Sequence, residues 1–422
     1  MRVFFFLKIY DFLYLGILPF IRAYHFLKGK PPSFEKYGIA SYTLPKDKKV
    51  IWFHGSSIGE ALCGLALLKS ISQKYSNVFF VFTTGTSTSA KVLREKLPPN
   101  ACYQSVPWDY SKWVQRFLNH WKPSVAFFIE ADYWPNLILQ SEAKKIPLVL
   151  LNGRISPKSL KRWSFFRPLF AKMMKSFLYI FPQTLKDRHI FQPWAAHTLT
   201  YLGNLKYSSL PLTYDVNALK NLHRICQGRL VWCAASTHEG EEEAVSLVHK
   251  SLKTLFHDLL TILVPRHPER SEKIVADLRA KGFFVAVRSK GEEILRQTDI
   301  YVADTIGEMG LFYELCPIVF VGGTLVPVGG HNPIEPAQQK CALLTGPHTF
   351  NNKQIFEELY ENQAIRVVQN PQEMIEVLKV LFEDETQRQA LIDNAYTCVH
   401  QHAATAEKVL KDLSPLLNKV LQ

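Results

Sequence analysis

Val50-Ile-Trp-Phe-His54 is an apolar run of strand length; it feeds Gly55-Ser-Ser-Ile-Gly-Glu60 and then the apolar helical segment Ala61–Ser72. A buried strand, a glycine turn and a helix, in that order, make the repeating unit of a doubly wound α/β domain. The unit recurs. In the first half the strand candidates are Val50–His54, Val78–Thr83, Val125–Glu130, Leu148–Leu151, Leu178–Phe181 and Leu199–Leu202. In the second half they are Leu230–Ala234, Leu259–Val264, Phe283–Val287, Ile300–Val302, Ile318–Val321 and Ala342–Leu344. Many are unbroken apolar runs, as expected of strands covered on both faces of a parallel sheet. Helical segments such as Glu241–Phe256 lie between them.

Two such series fit two domains better than one continuous sheet. The seam follows Tyr201-Leu-Gly-Asn204 and includes the polar, turn-forming Ser208-Ser-Leu-Pro-Leu-Thr-Tyr214. The expected organisation is an N-terminal anchor over 1–30, a Rossmann-like domain over 31–208, a linker over 209–225 and a second Rossmann-like domain over 226–422. The last helix is free to cross back to the first domain. Two facing domains of this kind open a cleft at the carboxyl ends of their strands, where α/β proteins bind ligands.

The 422 residues are 47% hydrophobic and 21% charged, which excludes a disordered chain. Seven dispersed cysteines without a C-x-x-C pair read as buried thiols in a reducing compartment, not as a disulfide frame or zinc site. The net charge is +13, unevenly spread: residues 1–210 hold 29 basic against 10 acidic residues, the remainder 21 against 27. The basic half needs an anionic partner, whether nucleic acid, an acidic membrane surface, or a phosphorylated or carboxylated substrate.

Residues 1–30 are strongly apolar, but Lys8, Asp11 and Arg22 interrupt them. The longest uncharged run, Phe12 to Ile21, has ten residues and contains Pro19. A single membrane span needs ~20, and no small-residue cleavage site follows. The reading favoured is a retained anchor, interfacial or shallowly inserted, with basic flanks at anionic headgroups; the alternative is a buried core helix. Lys158 to Phe177 interleaves six Lys and Arg residues with Trp163, Phe165, Phe166 and Phe170. Such a stretch suits a headgroup layer, a nucleic-acid groove or an ordinary helix with one solvated face.

There is no G-x-x-x-x-G-K-[ST] loop, no G-x-G-x-x-G after a strand, and no H-E-x-x-H or clustered His/Cys set that suggests a catalytic metal. Glu60 lies at a helix start beside the expected cleft, where a carboxylate can act as general base. Ser57-Ile-Gly-Glu60 equally satisfies the capping box, in which the glutamate only satisfies backbone donors. Glu130 and Asp132 end a second strand at the address of a site, with Asp132 or Asn136 also open to a plain capping role. In the acidic half, strands deliver Ser236-Thr237-His238, Pro265-Arg266-His267-Pro268, Asp304-Thr-Ile306-Gly307-Glu308 and Gly329-Gly330-His331-Asn332-Pro333-Ile-Glu335 to successive turns. In the last, the glycines give permissive backbone, Asn332 is a good N-cap and Pro333 fits the first helical position. Free N–H groups there would bind phosphate without a metal, and Glu335 either binds a ribose or completes the cap. Four such turns point to a nucleotide or nucleotide sugar.

Taken in order, HGSSIGE (54–60), EADYWPNLI (130–138), NGRIS (152–156), GNLKY (203–207), ASTHEGEEE (235–243), PRHPER (265–270), DTIGEMG (304–310) and GGHNPIEPA (329–337) resemble the 3-deoxy-D-manno-octulosonic acid (Kdo) transferases of lipopolysaccharide assembly. Ala131-Asp132 stand where that family usually has Thr-Glu, and Gly55 and Gly153 where it has Ala. The resemblance implies a GT-B fold and inverting, metal-independent transfer of Kdo from CMP-Kdo to a lipid A precursor, at the cytoplasmic side of the inner membrane. It implies an anionic membrane surface as partner, with no nucleic acid and no cofactor. Glu60 would be the general base and Glu130 a second essential carboxylate. Ser236, Thr237, Arg266, His267, Ile306, Gly307, Glu308, Gly330, His331, Asn332 and Glu335 would hold CMP. Ser56, Ser57, Asp132, Asn152, Arg154 and Lys206 are the further candidates on the acceptor side. Another GT-B enzyme, such as a different membrane glycosyltransferase or an epimerase, and a non-enzymatic membrane-bound protein that binds anionic ligands are the alternatives.

Overall fold

In the first sheet of the computed structural model, alternate residues of each strand feed opposite faces. Trp52 of β1 (Lys49–His54) joins Phe128 of β4 (Val125–Ile129) and Leu150 of β5 (Leu148–Gly153) in one core. Their neighbours Phe53, Phe127 and Leu151 join Phe80 and Phe82 of β2 (Val78–Thr84) in the other. The period of two in side-chain direction produces this division. Ring stacking reinforces the second core, with Phe53 centred 4.9 Å from Phe82 and 4.7 Å from Phe127.

The structure describes residues 2–27, 32–56, 58–85, 90, 93–94 and 96–422, with backbone only for 2–6, 25, 58, 59 and 62. β3 (Ala101–Ser105), β6 (Phe177–Pro182) and β7 (Thr198–Leu199) complete a sheet ordered β3-β2-β1-β4-β5-β6-β7. The second sheet is ordered β10-β11-β9-β8-β12-β13-β14. Its strands are β8 (Leu230–Thr237), β9 (Leu259–Pro265), β10 (Val285–Val287), β11 (Ile300–Val302), β12 (Ile318–Val321), β13 (Ala342–Thr345) and β14 (Arg366–Val367). Every described pairing in both sheets is parallel. All seven cysteines are buried and free.

One compact unit comprises Met1–Ser209 with Ala403–Gln422, the other Leu210–His402. The final helix, Thr405–Leu421, buries Val409, Leu413, Leu417 and Leu421 in the core that holds Phe53. Its entry is tied by Ser208, whose hydroxyl donates to the Ala403 carbonyl at 2.7 Å and accepts from the Ala406 N–H at 3.0 Å. Gly203, at φ +108°, lies against Thr405; a Cβ there would meet Oγ1 at 2.9 Å, so only glycine fits. Residues 216–225, read from the sequence as linker, form the helix Val216–Ile225 of the second unit. That helix is capped by Asp215, whose carboxylate accepts from the Asn217 and Ala218 N–H groups, a signal that its weak apolar pattern obscured.

The helix Arg2–Leu27 contains Pro19 and buries Leu18, while Phe12 and Phe20 are 77% and 75% exposed. Among the described residues no helix is long and apolar enough to cross a membrane. Met1 and residues 28–30 of the expected anchor lie outside the described residues. Over Lys158 to Phe177 the chain forms two short helices, Pro157–Ser164 and Arg167–Lys175. The second buries Leu169, Phe170, Met173 and Met174, while Phe165 and Phe166 between them are exposed.

Candidate active site

In the first unit the candidate residues gather at the carboxyl ends of neighbouring strands. β1 and β4 lie side by side at the point where strand order reverses, the usual ligand address of such a sheet. β1 leads through Gly55 and Ser56 into the helix Ile58–Lys74, which carries Glu60 in its first turn. Glu60 is buried. Its Oε2 accepts the Ser56 N–H at 2.6 Å, and the Ser56 hydroxyl lies 3.0 Å from both carboxylate oxygens. The glutamate therefore does satisfy a backbone donor at the helix start, one residue upstream of the capping-box position; Ser57 itself lies outside the described residues. Gly55 makes room for this turn, since a Cβ there would come within 2.9 Å of the Glu60 Cβ. Burial, then the charge of Glu130, push the Glu60 carboxyl above its ordinary range despite the Ser56 bonds, making it a stronger base than an exposed glutamate.

Glu130 follows β4 in a left-handed conformation, φ +61°, and Asn152 at the end of β5 is left-handed too, φ +53°. Non-glycine residues held there store strain, which collects at functional sites. Glu130 is almost wholly buried between two cations, with Lys206 Nζ 3.0 Å from Oε1 and Arg154 Nε 2.8 Å from Oε2. The Asn152 side-chain amide is 3.5 Å from Oε1, and its carbonyl oxygen accepts the Leu205 N–H at 3.0 Å. Burial alone would raise the Glu130 pKa; Lys206 and Arg154 outweigh it and hold the carboxyl below the usual range. Glu130 is thus a fixed negative charge, whereas Glu60 is the better proton acceptor.

Asp132 meets a partner that sequence reading missed. His54, fully buried at the end of β1, sets Nε2 2.9 Å from Asp132 Oδ2 and Nδ1 2.9 Å from the Thr83 hydroxyl, which accepts from Trp52 Nε1 at 2.8 Å. The signal was its address, a polar residue ending a buried strand, the same cue that selected Glu130. Lys36 is also close enough to feel Asp132; burial pulls its ammonium down to about 8 against the favourable charges of Glu35 and Asp132. Neither Asp132 nor Asn136 caps the following helix, Pro135–Ala143. Asp109 does, accepting from the Asn136 and Leu137 N–H groups at 3.0 and 2.9 Å. Burial raises the Asp109 carboxyl to about 7.

In the second unit the four turns follow β8, β9, β11 and β12, and these strands are contiguous in the order β11-β9-β8-β12. Ser236 is left-handed, φ +57°, and the Thr237 hydroxyl donates to Glu242, which also pairs with Arg270 at 2.8 Å. Arg266 is exposed and makes no ion pair among the described residues. Ile306 is exposed beside Gly307, φ +93°, and Glu308 is held in a two-pronged pair by Arg288 at 3.0 and 2.6 Å. The loop after β12 departs from its sequence reading. Its amides are used internally: Gly323, Thr324 and Leu325 donate to Glu241, Gly329 and Gly330 to the Gly323 carbonyl, and His331 to the Gly322 carbonyl. Asn332 caps Ile334 at 3.2 Å and donates to Glu335, with the helix Ile334–Gln338 starting one residue later than expected. Among the described residues no group of three His, Cys, Asp or Glu side chains is arranged to hold a metal ion.

A family model described as 3-deoxy-D-manno-octulosonic-acid transferase (kdotransferase) matches residues 33–209. The chain is 32% identical to the 3-deoxy-D-manno-octulosonic acid transferase of Rickettsia felis, over 89% of this chain and 80% of that one. It is 31% identical to the enzyme of the same name from Haemophilus influenzae, over 91% of each. UDP-GlcNAc 2-epimerase from Neisseria meningitidis, bound to UDP-GlcNAc, superposes with a TM-score of 0.60 at 12% identity, over 87% of this chain and 100% of that one; at that identity the likeness is one of fold. With two parallel Rossmann-like sheets, and with relatives of one name spanning nine-tenths of its length, the chain belongs to the 3-deoxy-D-manno-octulosonic acid (Kdo) transferase family, glycosyltransferases of the GT-B fold.

Proposed function

We propose that the chain transfers Kdo from CMP-Kdo to a lipid A precursor with inversion and without a metal, and that Glu60 is the general base. The observation that carries this reading is the pairing of two buried carboxylates with opposite pKa shifts, Glu60 raised and Glu130 lowered, at neighbouring strand ends. Such a divergence assigns the roles: the raised group takes a proton, and the lowered one stays charged. An acceptor sugar hydroxyl loses its proton to Glu60 as its oxygen forms the new bond to the Kdo anomeric carbon. The bond from that carbon to the phosphate oxygen breaks, and CMP leaves with the electron pair. The donor carbon becomes oxocarbenium-like and the phosphate more negative, and Arg266, which makes no ion pair among the described residues, offsets that growing charge. Glu130, Lys206 and Arg154 form the acceptor side in this reading, with Ser56, Asp132 and Asn152 beside them.

The first unit, residues 31–208 with the returning helix, serves as acceptor domain, and the second as CMP-sugar domain. Ser236, Thr237, Arg266, His267, Ile306–Glu308 and Gly330–Glu335 surround the donor. The helix Arg2–Leu27 acts as an interfacial anchor on the cytoplasmic face of an inner membrane. Its outward Phe12, Phe20 and Phe26, with Phe165 and Phe166 of the same unit, support this, as does the basic surplus of residues 1–210. Incubating radiolabelled CMP-Kdo and a tetraacylated lipid A precursor with the full chain in EDTA tests the reading. Transfer is expected, and Glu60→Ala is expected to abolish it while CMP still binds. Absence of transfer by the unaltered chain, or full activity of the variant, rejects it.

A further inference from the structure

The turns after β8 and β12, neighbours in the second sheet, bring two imidazoles together. His238 Nε2 and His331 Nε2 are 2.8 Å apart, and the rings are within 5° of parallel, with centroids at 5.1 Å. Two lone pairs cannot face each other at that distance, so one Nε2 carries a proton and donates to the other. His267, after β9, turns its ring edge-on to His238 at 5.6 Å. Gly323 lies against the pair; a Cβ there would stand 3.3 Å from His331 Nε2 and 3.4 Å from His238 Cδ2.

The charged groups around the pair are unevenly committed. Glu242 is bound by Arg270 and Thr237, Glu241 accepts from His238, Gly323, Thr324 and Leu325 amides, and Glu335 is bonded by Asn332. Glu269 approaches His267 at 3.5 Å. Arg266 alone in this set makes no ion pair among the described residues, and its charge reaches both imidazoles. Burial, then Arg266 and the other two rings, hold His331 down at about 3; burial, then His267 and Arg266, also lower His238. The pair is therefore neutral near pH 7 because it is buried beside an unanswered cation. An anion seated on Arg266 reverses the second cause.

We propose that His238 and His331 form a proton-binding site that fills when an anionic nucleotide seats on Arg266, so that nucleotide and proton bind together. This rests on the reading of the second unit as donor domain. Because the pair holds its proton more tightly in the complex, affinity rises as pH falls and is lost as pH rises through the complex value. Titration calorimetry of the full chain with CMP at pH 6.0, in buffers of different ionisation enthalpy, reads the proton directly. Wild-type protein is expected to take up protons on binding CMP beyond what His238→Gln or His331→Gln takes up, the excess being lost in both variants. Comparison with the variants cancels the titration of CMP itself, and circular dichroism verifies that they fold. CMP binding with equal proton uptake in wild type and both pair variants overturns this proposal alone. Absence of any CMP binding overturns the donor-domain reading and this proposal with it.

Discussion

Replacing Lys206 with methionine removes the better buried of the two cations on Glu130, keeping length and apolar stem. The Glu130 side chain is 2% exposed and that of Lys206 17%, whereas Arg154 is 42% exposed and screened by solvent. Taking one partner from a buried pair costs about 3–5 kcal/mol; with Arg154 still in place, about 2–3 kcal/mol is expected here. The cost has a pH signature. In the wild type the depressed Glu130 carboxyl contributes stability that is complete above its unfolded value and lost as pH falls through its folded value. In Lys206→Met, burial dominates and the carboxyl titrates higher, so acid neutralises the stranded charge first in the variant. The stability gap is therefore widest near pH 7 and closes toward pH 4. Urea denaturation followed by tryptophan fluorescence suits the measurement, because seven of the eight tryptophans precede residue 210 and report the first unit. A gap that is absent at pH 7, or equally wide at pH 4, would refute the claim that Lys206 holds Glu130 ionised.

Three more outcomes follow from other contacts. Asp109→Asn is expected to flatten the acid–neutral stability profile: a buried carboxyl raised to about 7 stabilises most below its unfolded value and loses that contribution as pH climbs to 7, on the order of 2–4 kcal/mol. Denaturation midpoints between pH 4 and 7 measure it. Asp132→Asn removes one of the charges that raise Glu60, so the acidic limb of the kcat/KM profile is expected to move to lower pH, while Asp132→Glu keeps it in place. Phe12→Ser with Phe20→Ser strips two outward aromatics from the N-terminal helix; co-sedimentation with anionic vesicles is expected to weaken at least about tenfold, given ~1.5–3 kcal/mol per fully buried side chain.

The sheets were legible because their strands are continuous apolar runs. β11 and β12 match the predicted Ile300–Val302 and Ile318–Val321 residue for residue. β3 escaped because Gln104 and Ser105 break its run, and β14 because a two-residue strand carries no pattern. Glu60 and Glu130 were found by their address after buried strands. What could not be read was pairing through space. Glu241 lies in the first turn of its helix, where a carboxylate is favoured by the dipole alone, yet it gathers the amides of residues 323–325, 82 to 84 positions away. Asp109 caps a helix that begins 26 residues later, and no local motif reports it. His54 was passed over because its partners are distant in sequence, Thr83 on β2 and Asp132 in the turn after β4.

The return of Thr405–Leu421 to the first unit sets an order of events on the ribosome. Residues 1–209 emerge with a gap in their core where Val409, Leu413 and Leu417 belong. At ~5–20 residues per second, the wait for position 403 is roughly ten to forty seconds. During that interval the nascent first unit exposes an apolar furrow, which makes chaperone engagement, and the fate of any message cut short near its 3′ end, a property of this topology.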